Sequence, residues 1–281
     1  MTRKPIEIEL AAVGVMAAKL GLGPIEPQIL KLAKHTTAQL APLPFVARIQ
    51  SAGPLDQAYA NASREVTVAT QLAARGAPTV RPASNLSRGP HVEDGCVITL
   101  WELAAGRAAE TEADAFAAAG ALKKVHEALE CVAADLPSFT VTIASCERIL
   151  AGSASAPHLH ENDRHFLHGL YADLREQLTR RELIYRPLHG DTHLANVLIT
   201  GAGARWMDLE AVCVGPLEWD VVTLPSATWS TFEGLDPGLM RLLKALRSVC
   251  VATWCWADLD RSAEVADAAV HHLDTLKARF D

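Results

Sequence analysis

The 281-residue sequence has no Cys-x-x-Cys pair, no long hydrophobic run and no stretch of disordered composition. Its six cysteines are scattered, and a chain of this length needs no disulfide staples, so we expect reduced thiols. The most apolar late stretch, residues 249–259, is far too short to span a bilayer. Glu7 and Glu9 interrupt any signal-peptide core near the N-terminus. These absences predict a cytoplasmic protein without a membrane partner.

The sequence also lacks the positive charge that favours a nucleic-acid partner. Its net charge is −7, with +2 carried by residues 1–103 and −9 by residues 104–281. Nucleic-acid binding depends on neutralisation of phosphates by lysine and arginine, so we expect no nucleic-acid partner. An acidic cleft would suit a cationic small molecule; the alternative is that the charge serves only solubility.

Hydrophobic periodicity predicts an α+β chain of two lobes. The first, residues 1–103, is expected to be a small mixed α/β lobe. The second, residues 104–281, is expected to be larger and mainly helical. Strands are predicted at 43–50, 96–101 and within 197–213. Helices are predicted at 7–20, 63–75, 112–133, 161–183, 236–258 and 263–280.

Chemistry-bearing residues concentrate at 189–220. Residues 197–200 predict a strand, 201–204 a turn, and Trp206-Met207 a returning strand. Asn196 stands just before the first strand and Asp208 just after the second. Because a hairpin brings its open ends together, both side chains are expected to point at one place. Asp191 lies on the loop that leads in.

This pattern suits phosphoryl transfer. The reaction needs Mg²⁺ at the phosphate oxygens and a carboxylate that orients the attacking hydroxyl and receives its proton. Asn196 and Asp208 supply the hard oxygen ligands that Mg²⁺ prefers, and Asp191 supplies the base. The alternative is that Asp191 and Asn196 only cap a turn.

The residues from His189 to Asn196, followed by Asp208, resemble the catalytic signature of the aminoglycoside phosphotransferase and choline kinase superfamily. The segments 215–220 (GPLEWD) and 122–126 (LKKVH) are similar to further parts of that family. The resemblance covers nearly the whole chain and is strongest at 185–222. It implies a bilobal protein-kinase-like fold and a small-molecule kinase.

The resemblance also implies a role for each matching residue. Asp191 becomes the catalytic base, and Asn196 and Asp208 become the Mg²⁺ ligands. His189 would anchor the loop structurally, and Asp220 would support it.

The same resemblance implies a nucleotide site in the first lobe. Residues 96–102 are similar to the last strand of that lobe and the hinge, so Leu100, Trp101 and Glu102 are expected to contact adenine. Arg48 occupies the strand position of the family's phosphate-binding lysine, and Glu65 is the matching helix acid.

One family feature is missing, because no glycine stands between Lys34 and Pro44. A loop that cradles phosphates favours glycine, since it lets the backbone approach closely. Thr36, Thr37 and Gln39 are the residues expected to contact the phosphates instead. The expected co-substrate is ATP, with GTP as the alternative.

The acceptor is expected among the acids of the second lobe, with Glu218, Glu233 and Asp236 as cation-binding residues. The predicted acceptor is a cationic antibiotic of aminoglycoside type, or a basic cyclic peptide such as capreomycin or viomycin, with resistance as the role. Alternatives are a macrolide kinase, a metabolic kinase for choline, a sugar or an amino alcohol, and a ligand-binding protein with little turnover. We expect a monomer or a homodimer.

Overall fold

A computed structural model describes residues 3–280. The chain divides into two compact units. The first runs to Asp135 and also includes Leu194–Glu210. The second comprises Leu136–His193 and the chain from Ala211 onward. The predicted lobe boundary at residues 103 and 104 stays a prediction. Among the described helices, none combines the length and apolar character that a membrane crossing requires.

The first unit contains a five-stranded antiparallel sheet in the order β1-β2-β3-β5-β4. Its strands are β1 (Glu26–Leu32), β2 (Thr36–Ala41), β3 (Phe45–Gln50), β4 (His91–Glu93) and β5 (Cys96–Glu102). The helices of this unit are α1 (Ile6–Lys19), α2 (Leu55–Ala74) and α3 (Glu112–Leu129).

The core of the first unit forms where α1 packs on one face of this sheet. Ala12, Val13 and Met16 of the helix join alternate apolar residues of β2, β3 and β5, such as Leu40 and Ile98. Alternation arises because successive strand residues point to opposite faces. The other face of the sheet is therefore available for polar side chains.

A smaller three-stranded sheet completes the first unit, in the order β6-β8-β9. Its strands are β6 (Arg107–Ala108), β8 (Val197–Thr200) and β9 (Gly203–Trp206). The predicted hairpin is confirmed, but its turn is shorter than predicted, because Gly203 already pairs with Thr200. Trp206 is fully buried, and its indole nitrogen donates to the carbonyl of Ala118 in α3.

The second unit is mainly helical. Its helices are α4 (Phe139–Leu150), α5 (Glu161–Thr179), α6 (Leu217–Val221), α7 (Pro237–Ala257) and α8 (Ala263–Phe280). The strands β7 (Arg186–Leu188) and β10 (Cys213–Gly215) form an antiparallel pair. This pair borders the loop that carries Asp191. The predicted late helices at 236–258 and 263–280 correspond to α7 and α8.

Candidate functional site

The first unit contains a cavity of about 610 Å³. One part of its lining is apolar and includes Val46, Val80 and Met207. Another part is charged and includes Arg48 and Asp208. A cavity of this size with a few convergent polar groups has the character of a small-molecule site.

Asn196 and Asp208 both line this cavity, from the two open ends of the β8–β9 hairpin. The hairpin is closed at its base by a hydrogen bond from the amide of Met207 to the carbonyl of Asn196, over 3.0 Å. Asp208 has a φ of 65°, a left-handed conformation that is uncommon outside glycine and is found at functional sites. The predicted convergence of these two residues on one cavity is therefore present.

Arg48 lies beside Asp208 and contacts three carboxylates. It donates to Glu65, to Asp208 over 2.8 Å and to Glu210 over 3.0 Å. Its position on β3, between Thr37 of β2 and Thr99 of β5, aims the side chain into the cavity. The predicted pair of Arg48 and Glu65 is present, and Glu65 is fully buried. Glu210, which sequence reasoning missed, extends the pair into a network.

Burial and the charges of this network shift the pKa values of Arg48 and Glu65. Burial opposes the charge of Arg48, but Glu65, Asp208 and Glu210 raise its pKa above the usual range. Burial also raises the pKa of Glu65 to about 7, with Asp208 and Glu210 adding to the rise and Arg48 opposing it. Arg48 therefore shares its positive charge among three carboxylates at this end of the cavity.

The turn between β1 and β2 is held by Glu210. Lys34 donates to Glu210 Oε1 over 2.7 Å, and His35 Nε2 lies 2.8 Å from Glu210 Oε2. On the opposite side, the Arg3 guanidinium donates to the carbonyl of Ala33 over 3.1 Å. Lys34 and His35 both line the cavity. The turn without glycine therefore presents two basic side chains to the cavity.

The residues expected to contact phosphate and adenine are only partly at the cavity. Thr37 lines it, whereas Thr36 is fully buried and bonds to Glu9 instead. Trp101 and Glu102 also line it. The side chain of Leu100 points into the core, because alternate residues of β5 face opposite sides. A contact from Leu100 to adenine would therefore involve its main chain, and the expected adenine contacts of Leu100, Trp101 and Glu102 stay a prediction.

The loop that carries Asp191 belongs to the second unit and is fixed by Asp220. The two carboxylate oxygens of Asp220, which is fully buried, accept from the amides of His189 and Gly190 over 2.9 and 2.8 Å. Gly190 has a φ of +87°, and a Cβ there would lie 1.9 Å from the carbonyl oxygen of Ala211. Only glycine fits this position. The supporting position predicted for Asp220 is present.

Asp191 itself is surrounded by basic groups. The Arg247 guanidinium, from α7, donates to Asp191 Oδ1, and His193 Nε2 lies 3.3 Å from Asp191 Oδ2. Burial acts to raise the pKa of Asp191, but the His193 hydrogen bond and the charge of Arg247 hold it well below its usual range. Sequence reasoning missed Arg247. The sequence feature that could have identified it is an arginine on the apolar side of a predicted helix, between Leu246 and Cys250, which are buried in α7.

Two of the acids expected to bind a cationic acceptor are engaged at the start of α7. Glu218 is buried and accepts from the amide of Asp236 over 3.0 Å. Asp236 caps the helix through the amides of Gly238 and Leu239 and pairs with Arg181 over 2.9 Å. Glu233 is exposed. Their role in acceptor binding stays a prediction.

The donor set at the hairpin fits a magnesium ion. Within residues 3–280, no group of three or more His, Cys, Asp or Glu side chains has an arrangement that would hold a metal. Mg²⁺ does not need such a cage, because it binds through one or two protein oxygens together with water and substrate phosphates. Asn196 and Asp208 offer an amide and a carboxylate oxygen in the same cavity.

One family model and several solved structures match the chain. The model of the phosphotransferase enzyme family, APH, matches residues 32–260. The choline kinase LicA from Streptococcus pneumoniae is 13% identical with a TM-score of 0.70, covering 95% of this chain and 97% of its own. Amicoumacin kinase hAmiN, in complex with AMP-PNP, Ca²⁺ and Ami, is 14% identical with a TM-score of 0.69, covering 99% and 97%.

A third solved structure, aminoglycoside phosphotransferase APH(3″)-Id from Streptomyces rimosus, is 20% identical with a TM-score of 0.59, covering 96% and 98%. At these identities the likeness shows the fold alone. The α+β, protein-kinase-like fold predicted from the sequence is confirmed, with a sheet-rich N-terminal part and a helical C-terminal part. No curated protein matches the chain.

Proposed function

The chain belongs to the phosphotransferase enzyme family, and we propose that it transfers the γ-phosphate of ATP or GTP to a hydroxyl group of a small molecule. The observation that carries the proposal is the cavity of the first unit. Asn196 and Asp208 reach it from the two ends of one hairpin, and Arg48 reaches it from the sheet. Such an arrangement suits a triphosphate, whose charge needs both cations and a metal.

In the proposed reaction, Asp191 orients the acceptor. Its carboxylate accepts a hydrogen bond from the acceptor hydroxyl, whose oxygen then attacks the γ-phosphorus. The new oxygen–phosphorus bond forms as the bond to the β-phosphate oxygen breaks, and the nucleoside diphosphate leaves. The hydroxyl proton passes to Asp191. A carboxylate with a low pKa suffices, because the transition state is loose and the proton becomes strongly acidic only late.

We propose that Asn196 and Asp208 hold Mg²⁺. When bound, Mg²⁺ neutralises charge on the phosphate oxygens. Arg48 contributes a fixed positive charge on the same side of the cavity, since Glu65 and Glu210 hold its guanidinium in place. Arginine offers a planar fork of donors, which matches phosphate as well as the lysine of the family does.

Without a glycine-rich loop, other groups must contact the phosphates in place of the loop backbone. We propose that Lys34 and His35, with Thr37, supply side-chain contacts to the phosphates in place of the missing backbone approach. The apolar part of the cavity, with Trp101 and the backbone of Glu102, would receive the nucleotide base.

For the acceptor, we propose a small hydroxylated cation, with an aminoglycoside-type antibiotic or a basic cyclic peptide first and resistance as the role. The net charge of −9 over residues 104–281 supports a cationic acceptor. Among the three predicted acids, Glu233 is the best placed to bind it, because Glu218 and Asp236 already serve the start of α7. The alternatives remain a macrolide kinase and a metabolic kinase for choline, a sugar or an amino alcohol.

A direct test incubates the protein with Mg²⁺-ATP or Mg²⁺-GTP and a panel of hydroxylated amines, antibiotics and sugars. Release of nucleoside diphosphate and a phosphate added to the acceptor, seen by mass spectrometry, are expected with at least one cationic compound. Asp191→Ala should abolish both while the circular dichroism spectrum stays unchanged. Full activity in that variant, or turnover only with anionic acceptors, would contradict the proposal.

A further inference from the structure

Arg247 is an unusual residue for its place in the fold. It lies in the middle of α7, a helix whose buried residues are otherwise uncharged, and its side chain is buried. A buried guanidinium is unfavourable unless carboxylates or other acceptors pair with it. Its position therefore needs an explanation in terms of what it contacts.

The contacts of Arg247 all concern the loop that carries Asp191, or hold the guanidinium towards it. One nitrogen donates to the carboxylate of Asp191, and another donates to the carbonyl of Gly190 over 3.2 Å. The guanidinium lies over the ring of Trp219 at 4.7 Å and near that of Trp254 at 5.7 Å. Aromatic faces attract a cation and restrict its rotation, so the guanidinium has a fixed orientation.

We infer that Arg247 is a positioning residue for phosphoryl transfer, acting through Asp191; this role rests on the proposed function. The planar fork of the guanidinium binds the loop backbone and the carboxylate at once, so it sets where the carboxylate points. Its charge also keeps the carboxylate ionised. His193 and His189 also face Asp191, while Asp220 holds the loop amides.

A second consequence concerns the acceptor. Arg247 places its positive charge beside Asp191, with the guanidinium over the ring of Trp219 and near that of Trp254. The positive charge beside Asp191 therefore favours an acceptor whose cationic groups lie away from the hydroxyl that reacts.

The first test needs no activity. Unfolding temperatures are measured for the wild type, Arg247→Met, Asp191→Asn and the double variant. Arg247→Met removes the guanidinium that offsets the charge of Asp191, so we expect a loss of several degrees. Adding Asp191→Asn to Arg247→Met removes the carboxylate charge that the guanidinium no longer offsets, so the double variant should lose less than the sum of the two single losses. Additive losses would overturn the pairing.

The second test uses steady-state kinetics with an acceptor found in the panel. Arg247→Met should lower kcat about 100-fold while the nucleotide KM changes little, since a small displacement of a reacting group has an effect of that order. The acid limb of kcat/KM should move up by about one pH unit, as the positive charge beside Asp191 is lost. Arg247→Lys, which keeps the charge but not the fork, should leave the acid limb in place with an intermediate kcat.

Arg241→Met is the matched control, because Arg241 is an exposed arginine on the same helix; we expect wild-type kinetics. If Arg247→Met does not fold, Arg247→Lys decides, since wild-type kcat in that variant would overturn the role of the fork. Wild-type kcat and pH profile in both Arg247 variants would overturn the inference while leaving the proposed function intact. No phosphate transfer by the wild type to any acceptor would instead overturn the proposed function.

Discussion

Arg48 Nη2 donates a hydrogen bond to Asp208 Oδ1 over 2.8 Å, so the arginine of the sheet and the aspartate of the hairpin share one end of the cavity. The same nitrogen lies 3.0 Å from Glu210 Oε2. A cation bound by Asp208 therefore shares this carboxylate with Arg48. Charge at this end of the cavity is set by the whole network of Arg48, Glu65, Asp208 and Glu210.

Replacing Asp208 by Asn should weaken the response to Mg²⁺. Asparagine tolerates the left-handed backbone of this position, so the change removes the charge without backbone strain. We expect turnover to fall at least about 100-fold, and half-maximal activity to need about tenfold more Mg²⁺. Kinetics over a Mg²⁺ series measure both. Asp94→Asn is the matched control, because Asp94 has a φ of 48° and is exposed.

Replacing Glu210 by Gln should loosen the turn that carries Lys34 and His35. The change weakens two contacts of Glu210 with the turn. The contact with the exposed Lys34 contributes about 0.2–1 kcal/mol, and that with the largely buried His35 contributes about 1.5–3 kcal/mol. We expect the nucleotide KM to rise about tenfold with a smaller change in kcat. Glu26→Gln, an exposed acid on β1, should leave both values unchanged. Unaltered nucleotide KM in the Glu210 variant would mean that the turn does not contact the phosphates.

Stability in the absence of metal should depend on pH through Glu65. Its pKa is raised from 4.5 to about 7 in the folded protein, so the folded state binds more protons than the unfolded state between these values. Its contribution to stability is therefore fully present below about pH 4.5 and is lost as the pH rises to about 7. Depressed carboxylates such as Asp191 act in the opposite sense, mainly below about pH 5.

The free energy of unfolding, measured by urea denaturation with EDTA at about pH 5, 6 and 7, checks this dependence. The difference between wild type and Glu65→Gln isolates the contribution of Glu65 from those of the histidines, which titrate in both proteins. We expect the advantage of the wild type over the variant to shrink as the pH rises. An advantage that stays constant or grows with pH would show that Glu65 is already ionised in the folded protein at about pH 5.

Replacing Gly190 by Ala should disrupt the loop of Asp191. The added Cβ meets the carbonyl of Ala211, and the φ of +87° is unfavourable for alanine. We expect a loss of about 2 kcal/mol or more in stability, together with loss of turnover. Gly201→Ala, in the turn of the β8–β9 hairpin, has open space around it and should have little effect on either. Thermal unfolding and turnover of both variants measure the contrast.

The elements that the sequence predicts well are those with strong local periodicity. Helices α7 and α8 and the β8–β9 hairpin follow their hydrophobic patterns closely. Strand β2 was missed because Thr36 and Ala38 fill two of its three buried positions, and neither is strongly apolar. Strand β1 was missed because it is an edge strand that contains Pro27 and is largely exposed.

The residues of the candidate site likewise fall into those that the sequence predicts and those that it does not. Asn196, Asp208 and the Arg48–Glu65 pair follow from short motifs and from hairpin geometry. Glu210 and Arg247 do not, since each acts on residues far away in the chain, such as His35 and Asp191. A partner distant in sequence leaves no local spacing to read. What the sequence does show is a charged residue among buried neighbours, which signals that a partner exists without naming it.

The first unit is assembled from two separate stretches of chain, and this has a consequence for biosynthesis. Residues up to 135 leave the ribosome well before the hairpin at Leu194–Glu210 is made. Until then the surface of α3 that Trp206 covers is exposed, and the cavity lacks Asn196 and Asp208. Because synthesis proceeds at about 5–20 residues per second, the nascent chain spends several seconds in this incomplete state. A truncation anywhere before residue 194 would therefore yield a sheet whose cavity lacks both Asn196 and Asp208.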